Sequence, residues 1–159
     1  MSFCAPDLVS SLGLAPHPEG GWYREVHRSS LTVQAPQGQR AALTTIHYLL
    51  EAQQLSRWHV VDADEVWQHQ AGAPLTLLAY DPVSRALQQH ALGPLSGGHT
   101  PFAVIPAGVW QAASSRGDYT LVSCTVGPGF DFQDFRFVRT LPGSATHFQG
   151  ALDAFTAWL

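Results

Sequence analysis

Side chains suited to metal binding or proton transfer cluster in one short segment, WHVVDADEVWQHQAG. If Glu65 to Ala71 forms a strand, Glu65, Trp67 and His69 share one face, because alternate side chains of a strand point the same way. His59 belongs to the strand before. Imidazole and carboxylate groups together suit divalent metals and proton transfer. The sequence therefore predicts His59 and Glu65 as a catalytic pair, with Trp67 and His69 as ligand-binding neighbours.

A second segment, VIPAGVWQ over residues 104–111, reads as a strand, a Pro-x-Gly turn and a new strand. The new strand opens with Trp110 and Gln111. Aromatic rings usually supply much of a pocket's lining. We therefore interpret Trp110 as a cavity wall or core residue and Gln111 as a polar group that contacts a ligand.

Three further residues are candidates for ligand binding. Tyr48 and Ser56 offer hydroxyl groups on predicted strands. Glu19 lies in PHPEGG, where proline fixes φ and the paired glycines permit positive φ, so its carboxylate sits on a rigid turn. That turn serves equally well to direct an N-terminal strand onto its neighbour. Cys124 is interpreted as buried packing.

Most of the chain consists of short β-forming runs separated by turn residues, which favours an all-β sandwich or barrel. A short helix is predicted over Pro6–Leu12, ended by Gly13, and a polar loop over Gln34–Gln39. Apolar residues spaced by four, three and four predict an amphipathic helix over Ala145–Leu159. The predicted strands are Trp22–His27, Ala42–Leu50, Ser56–Val61, Glu65–Ala71, Leu75–Tyr80, Ala86–Leu92, Phe102–Ile105, Trp110–Ser114, Tyr119–Val126 and Phe132–Val138.

The composition indicates one folded domain over residues 1–159, since 45% of the residues are hydrophobic and only 13% are charged. The net charge of −4, with scattered basic residues, argues against nucleic acid as a partner. Two cysteines without a CxxC pair are typical of a reduced, cytoplasmic protein. The N-terminus lacks the features of a signal peptide, and no apolar run reaches the roughly 20 residues that span a membrane.

The chain resembles the cupins, and within them the type-5 branch, a family built on a domain of unknown function. The first cupin motif ends with a glutamate, six residues and a glycine, which Glu65 and Gly72 match, with His59 near the motif's histidines. The second motif is Pro-x-Gly, two residues and a histidine, which Gln111 replaces here. Together the matching stretches cover nearly all of residues 12–138, and they are PHPEGGWYREVHRS, LTTIHYLL, SRWHVVDADEVWQHQAG, PAGVWQA and SCTVGPGFDFQDF.

The resemblance implies a double-stranded β-helix, or jelly-roll, barrel with a small-molecule pocket. Metal-binding cupins typically supply three histidines and one glutamate, whereas this chain keeps one histidine and the glutamate. The resemblance thus leaves two alternatives, no cofactor or one divalent metal. The candidate ligands of such a metal are His59, Glu65, His69 and Gln111.

Three functions remain open from the sequence. The first is a metal-independent epimerase or isomerase of a sugar-type ligand, in which His59 takes a proton, Glu65 orients it and Ser56 or Tyr48 returns a proton. The second is a metal-dependent cupin enzyme, and the third is a ligand-binding or sensing protein without turnover. We also expect a homodimer, with the strand Trp22–His27 added to a partner's sheet edge.

Overall fold

The structure, a computed structural model, describes residues 4–140 and 157–158. Strands form along most of this length, because β-branched and aromatic side chains suit a pleated, half-buried surface. One α-helix is found in the described residues, α1 (Ala5–Leu12). The strands are β1 (Ala15–Pro16), β2 (Trp22–Arg28), β3 (Thr32–Ala35), β4 (Gly38–Ala41), β5 (Thr44–Glu51), β6 (Leu55–Val61), β7 (Asp64–Gly72), β8 (Leu75–Asp81), β9 (Ala86–Leu92), β10 (Phe102–Ile105), β11 (Trp110–Ser115), β12 (Tyr119–Gly127) and β13 (Phe135–Phe137). Short 3-10 turns cover Leu95–Gly97, Phe132–Asp134 and Val138–Thr140.

The strands form two large antiparallel sheets and a separate hairpin. The six-stranded sheet has the order β1-β2-β5-β12-β7-β10, and the five-stranded sheet has the order β13-β6-β11-β8-β9. Within residues 4–140, no ladder of hydrogen bonds runs from one sheet into the other. The expected all-β architecture is therefore confirmed, but its two sheets join through side-chain packing and do not close into a hydrogen-bonded barrel.

The central core lies between the two sheets. Tyr48 and Trp67 of the six-stranded sheet pack with Leu77 and Ala113 of the five-stranded sheet, and all four are buried. Because successive side chains of a strand point to opposite faces of the sheet, these four residues all face the space between the sheets. This core fills one end of the space between the sheets, and the cavity described below occupies the other.

Helix α1 covers the outer face of the six-stranded sheet. Its Leu8 packs with Leu14, Leu49 and Leu121 in a separate apolar cluster. The helix ends at Gly13, which has φ 61° and caps the last turn with its N–H group. The predicted N-terminal helix and its glycine stop are confirmed.

Two sequence predictions require correction. The segment Gln34–Gln39, predicted as a polar loop, belongs to the β3–β4 hairpin, whose strands of four residues each are too short for a clear periodic pattern. The last predicted strand, Phe132–Val138, shrinks to Phe135–Phe137, because Asp131 accepts a hydrogen bond from the Gln133 N–H and starts a 3-10 turn. The predicted helix Ala145–Leu159 lies outside the described residues, apart from positions 157–158. None of the helices that the structure describes is long and apolar enough to cross a membrane.

Candidate functional site

A cavity of about 500 Å³ lies between the open ends of the two sheets. Its base carries acids, imidazoles and hydroxyl or thiol groups, its walls are aromatic and aliphatic, and its mouth is charged. The residues that line it are Gly13, Ala15, His17, Glu19, Tyr23, Arg24, Glu25, Arg28, Thr44, Ile46, Tyr48, His59, Val61, Glu65, Cys124, Val126, Phe130, Asp131, Phe132 and Phe135.

A tight turn carries Glu19 into the base of this cavity. Gly20 and Gly21 follow it with φ 112° and 72°, which side chains rarely adopt. A Cβ atom on Gly20 would collide with the Leu55 carbonyl group, so only glycine lets the turn lie this close to β6. The Arg57 N–H donates to the Glu19 carbonyl oxygen at 3.0 Å and fixes the turn to the same strand. The turn both carries a site residue and leads into β2, so the two roles considered from the sequence are compatible.

The Glu19 carboxyl group is surrounded by polar side chains. Its Oε2 atom lies 3.2 Å from His59 Nε2, and its Oε1 atom accepts a hydrogen bond from Ser56 Oγ at 2.9 Å. The Glu19 N–H donates to His17 Nδ1 at 3.2 Å. Burial raises the pKa of this carboxyl group, because the charged form loses its hydration, while His17 and the hydroxyl groups act in the opposite direction.

His59 shares one proton with Glu19. Its Nδ1 atom lies 2.7 Å from the Arg57 carbonyl oxygen. That oxygen only accepts, so Nδ1 carries a hydrogen. The contact between Nε2 and Glu19 Oε2 then needs one more proton, held by either atom. Burial lowers the pKa of His59, while the negative charge of Glu65 opposes that shift. The Phe135 ring stacks on the imidazole at 5.1 Å between ring centres and shields the pair from water.

Glu65 lies on β7, on the same side of the cavity base. Gln111 Nε2 donates to its Oε2 atom, and Trp67 Nε1 donates to Gln111 Oε1 at 2.9 Å. Burial raises the pKa of Glu65, whereas His59, Gln111 and the thiol of Cys124 favour its charged form. Exposed fractions of 6% for Glu19, 1% for His59 and 7% for Glu65 show that all three are deeply buried.

The structure brings together most, but not all, of the residues selected from the sequence. Tyr48 lines the cavity with Glu19, His59 and Glu65, and its hydroxyl group donates to the Gly20 carbonyl oxygen at 2.7 Å. Ser56 lies behind Glu19. Trp67 and Gln111 lie behind Glu65, out of contact with the open space.

Two selected residues lie away from the cavity. Trp110 packs with Trp58 and Tyr80 in a cluster on the outer face of the five-stranded sheet. Adjacent residues of a strand face opposite ways, so Trp110 cannot share the inner face with Gln111. His69 is half-buried, and its Nε2 atom lies 3.3 Å from the Ala73 carbonyl oxygen at the far end of β7.

Several cavity residues were not selected from the sequence. His17 precedes Glu19 by two positions in PHPEGG, and that proximity is a signal that could have found it. Cys124 alternates with Val122 and Val126 on β12, so it is buried as expected and also reaches the cavity. Three phenylalanines, at 130, 132 and 135, come from a turn whose path no local pattern predicts.

The donors proposed for a metal do not converge. Gln111 Oε1 is taken by the Trp67 indole, its Nε2 donates to Glu65, and the His69 ring faces Ala73. Among the residues that the structure describes, no group of three or more His, Cys, Asp or Glu side chains is arranged to hold a metal ion. The set His59, Glu65, His69 and Gln111 therefore does not fit a tightly bound transition metal.

Two packed antiparallel sheets with a polar pocket at one end define a jelly-roll protein of the cupin class. A dTDP sugar isomerase from Desulfovibrio desulfuricans has the same fold, with a TM-score of 0.56, 15% identity and coverage of 86% of this chain and 91% of that one. The family described as Cupin superfamily (DUF985) matches residues 6–138, and this chain belongs to it.

Two solved structures share more of the sequence. A hypothetical protein from Leishmania major is 34% identical, with a TM-score of 0.77 and coverage of 84% of this chain and 86% of that one. A protein from Shewanella oneidensis is also 34% identical, with a TM-score of 0.77 and coverage of 86% and 85%. No curated protein matches the chain at a significant level. The family membership inferred from the sequence motifs is confirmed.

Proposed function

We propose that this protein is a metal-independent acid–base enzyme that isomerises or epimerises a small polar molecule, such as a sugar derivative. The proposal is carried by one observation: the Nε2 atom of a buried imidazole, His59, lies 3.2 Å from Glu19 Oε2, and a second carboxyl group, Glu65, lines the same cavity. The fold shared with a sugar isomerase does not carry it, because one fold hosts many activities.

The arrangement suits the uptake of a proton from a carbon atom next to a carbonyl group. The His59–Glu19 pair holds one proton and is neutral overall. When the shared proton stays on Glu19 and its hydroxyl group turns away, the freed lone pair of His59 Nε2 takes a second proton from the ligand, which leaves both members protonated and the pair positively charged. The Glu65 carboxylate compensates that charge at short range in a dry environment, where the attraction is strong. In this proposal His59 remains the base predicted from the sequence, Glu65 compensates its charge instead of orienting it, and Glu19 joins them.

The cavity fits a small ligand. Its volume is about 500 Å³. Small-molecule sites usually occupy several hundred cubic ångströms, so the cavity has the size that such a site needs. Tyr23, Phe132 and Phe135 offer flat apolar faces against which a sugar or other ring would pack. A ligand with a polar group next to His59 and a ring packed against the aromatic wall would contact both parts of the cavity.

A binding or sensing role without turnover is the second candidate. It is favoured by the contact between His59 Nε2 and Glu19, which satisfies the imidazole without any ligand. A resting site of this kind binds polar groups and needs no base.

Solvent exchange distinguishes the two roles. The untagged protein is incubated in D₂O with a panel of ketoses, hydroxy acids and sugar nucleotides, and NMR follows the replacement of carbon-bound hydrogen by deuterium. An exchanging compound is expected, and His59→Gln should slow its exchange by at least about 100-fold. His27→Gln, at an exposed position on β2, is the matched control and should keep the rate.

Two results would overturn the proposal of a metal-independent enzyme. One is a compound that binds but does not exchange, which supports the sensing role. The other is exchange that stops when a chelator is added and returns with a divalent metal. Full activity of His59→Gln would reject the assignment of the base.

A further inference from the structure

The indole N–H of Trp67, which can only donate a hydrogen bond, fixes the orientation of the buried Gln111 side-chain amide. The Gln111 atom that faces the indole N–H of Trp67 lies 2.9 Å from it. Because that N–H has no acceptor capacity, this atom must be the carbonyl oxygen. The NH₂ group of Gln111 then points the other way, towards Glu65 Oε2. Both side chains are buried, Trp67 in the central core and Gln111 next to it, so no water competes for these bonds.

Glu65 is consequently held as an acceptor. The amide of Gln111, on β11, donates to one of its oxygens, and the thiol of Cys124, on β12, also lowers the pKa of Glu65. The other charged or titratable groups that act on Glu65 are His59 of β6 and Glu19 of the glycine turn. An amide donor favours the carboxylate over the acid, because only the carboxylate accepts at every lone pair.

Register explains why Gln111 is suited to this position. It lies directly opposite His59 in the β6–β11 ladder, so the amide, the imidazole and Glu65 occupy one small region of the cavity base. In the resemblance to metal-binding cupins this position corresponds to a histidine ligand. Here that position holds a neutral group, which donates to Glu65 Oε2.

We propose that Gln111, oriented by Trp67, is a positioning residue that holds Glu65 as a hydrogen-bond acceptor in the cavity base next to His59. Neither residue lines the cavity, so both act through Glu65. The proposal concerns the free protein, and only its catalytic meaning rests on the proposed function. Its test needs no turnover, so the two can fail separately.

The test uses the full chain with ¹³C-labelled glutamate, and NMR follows the side-chain carboxyl signals as a function of pH. Glu65→Gln and Glu19→Gln identify the two buried signals by their loss. Gln111→Met keeps the length of the side chain and removes the amide donor. We expect it to raise the midpoint of Glu65 by at least about one pH unit, a tenfold weaker acid.

A second variant and a control keep the test decisive. Trp67→Phe leaves Gln111 in place but frees its amide to turn, and we expect a smaller shift in the same direction. Gln70→Met makes the same change at an exposed glutamine of β7 and should leave the midpoint of Glu65 where it is. If Gln111→Met does not fold, Trp67→Phe alone decides by the direction of its shift. An unchanged midpoint in a folded variant would overturn the proposal, as would a shift of the same size in Gln70→Met.

Discussion

His17 shows how one buried contact sets a protonation state. Its side chain is 6% exposed, and its Nδ1 atom lies within hydrogen-bonding distance of the Glu19 N–H. Because Nδ1 accepts that bond, the ring is neutral with its hydrogen on Nε2. Burial lowers the pKa of His17, and the nearby His59 adds to that shift, while Glu19 opposes it. Protonation of Nδ1 would break the bond to the turn and place a charge in the cavity base.

The neutral state of His17 predicts how the free energy of unfolding depends on pH. The folded pKa of His17 lies below its unfolded value. Below a pH of about 6.5 the unfolded chain therefore binds a proton that the folded chain does not. The contribution of His17 is present above that pH and is lost as the pH falls towards the folded pKa. His17→Asn keeps an acceptor near the position of Nδ1 and does not titrate, so we expect it to lose less stability on acidification than the wild type.

Urea unfolding at a series of pH values measures this difference. His27→Asn is the control, since it removes an exposed histidine without changing a buried contact. The buried carboxyl groups of Glu19 and Glu65, whose pKa values are raised, act in the opposite direction. A His17→Asn curve parallel to the wild-type curve would show that His17 is not held neutral.

At the residue scale, the sequence predicted the acidic and basic residues of the cavity better than the residues that surround them. Spacing selected His59 and Glu65, and the PHPEGG turn selected Glu19, because each lies beside a turn or on a strand with clear alternation. The ladder between β7 and β12 is regular from Glu65 to His69, and its shift of register, between Leu121 and Val122, lies beyond His69. His69 therefore shares the face of Glu65, as parity predicts, but four residues along a strand place it about 13 Å from Glu65, away from the cavity.

At the element scale, the glycine turn before β2 determines where Glu19 lies. Gly20 has φ 112°, and any Cβ atom there meets the backbone of Leu55. Gly98 provides a matched comparison, because it also has positive φ, at 73°, but faces open space. The two positions therefore separate the cost of the backbone conformation from the cost of the collision.

We expect Gly98→Ala to lower the free energy of unfolding by about 1 kcal/mol, the cost of a left-handed residue. Gly20→Ala carries the collision as well and should lose more than about 3 kcal/mol. It should also move Glu19 away from His59, which chemical shifts of the His59 ring would report. Equal losses at the two positions would mean that the turn relaxes without affecting the site.

Elements with weak apolar alternation were the ones that sequence reasoning missed. Apart from Val33, the β3–β4 hairpin carries only polar or small side chains, and it is fixed by its own pairing, while Arg40 of β4 forms an ion pair with Asp134 at 2.8 Å. That ion pair joins residues far apart in the chain and ties the hairpin to the turn that carries Phe132 and Phe135. No local pattern contains such a contact, so the aromatic wall of the cavity could not be predicted.

At the scale of the whole molecule, the free edges of the six-stranded sheet differ in character. β2 pairs with β5 along its length, and β1 covers its first two residues, so the strand expected to join a partner is already occupied there. The rest of that edge carries Arg24, Glu25 and Arg28, and charged side chains discourage edge pairing. The opposite edge is β10, where Phe102 and Val104 are 58% and 47% exposed.

These contrasts predict a homodimer in which β10 pairs antiparallel with its copy about a two-fold axis. Opposite residues of a ladder share a face, so Ala103 lies on the axis and Phe102 packs beside the partner's Val104. Pairing covers the two exposed apolar side chains and the unpaired backbone of the edge together. A closed dimer of this kind also stops further strand addition.

Light scattering after size exclusion should give twice the chain mass for the wild type and the chain mass for Phe102→Glu. Val83→Glu, at an exposed turn position, is the control and should remain dimeric. A wild-type protein that elutes as a monomer at working concentration would reject the dimer, and a dimeric Phe102→Glu would move the interface away from β10.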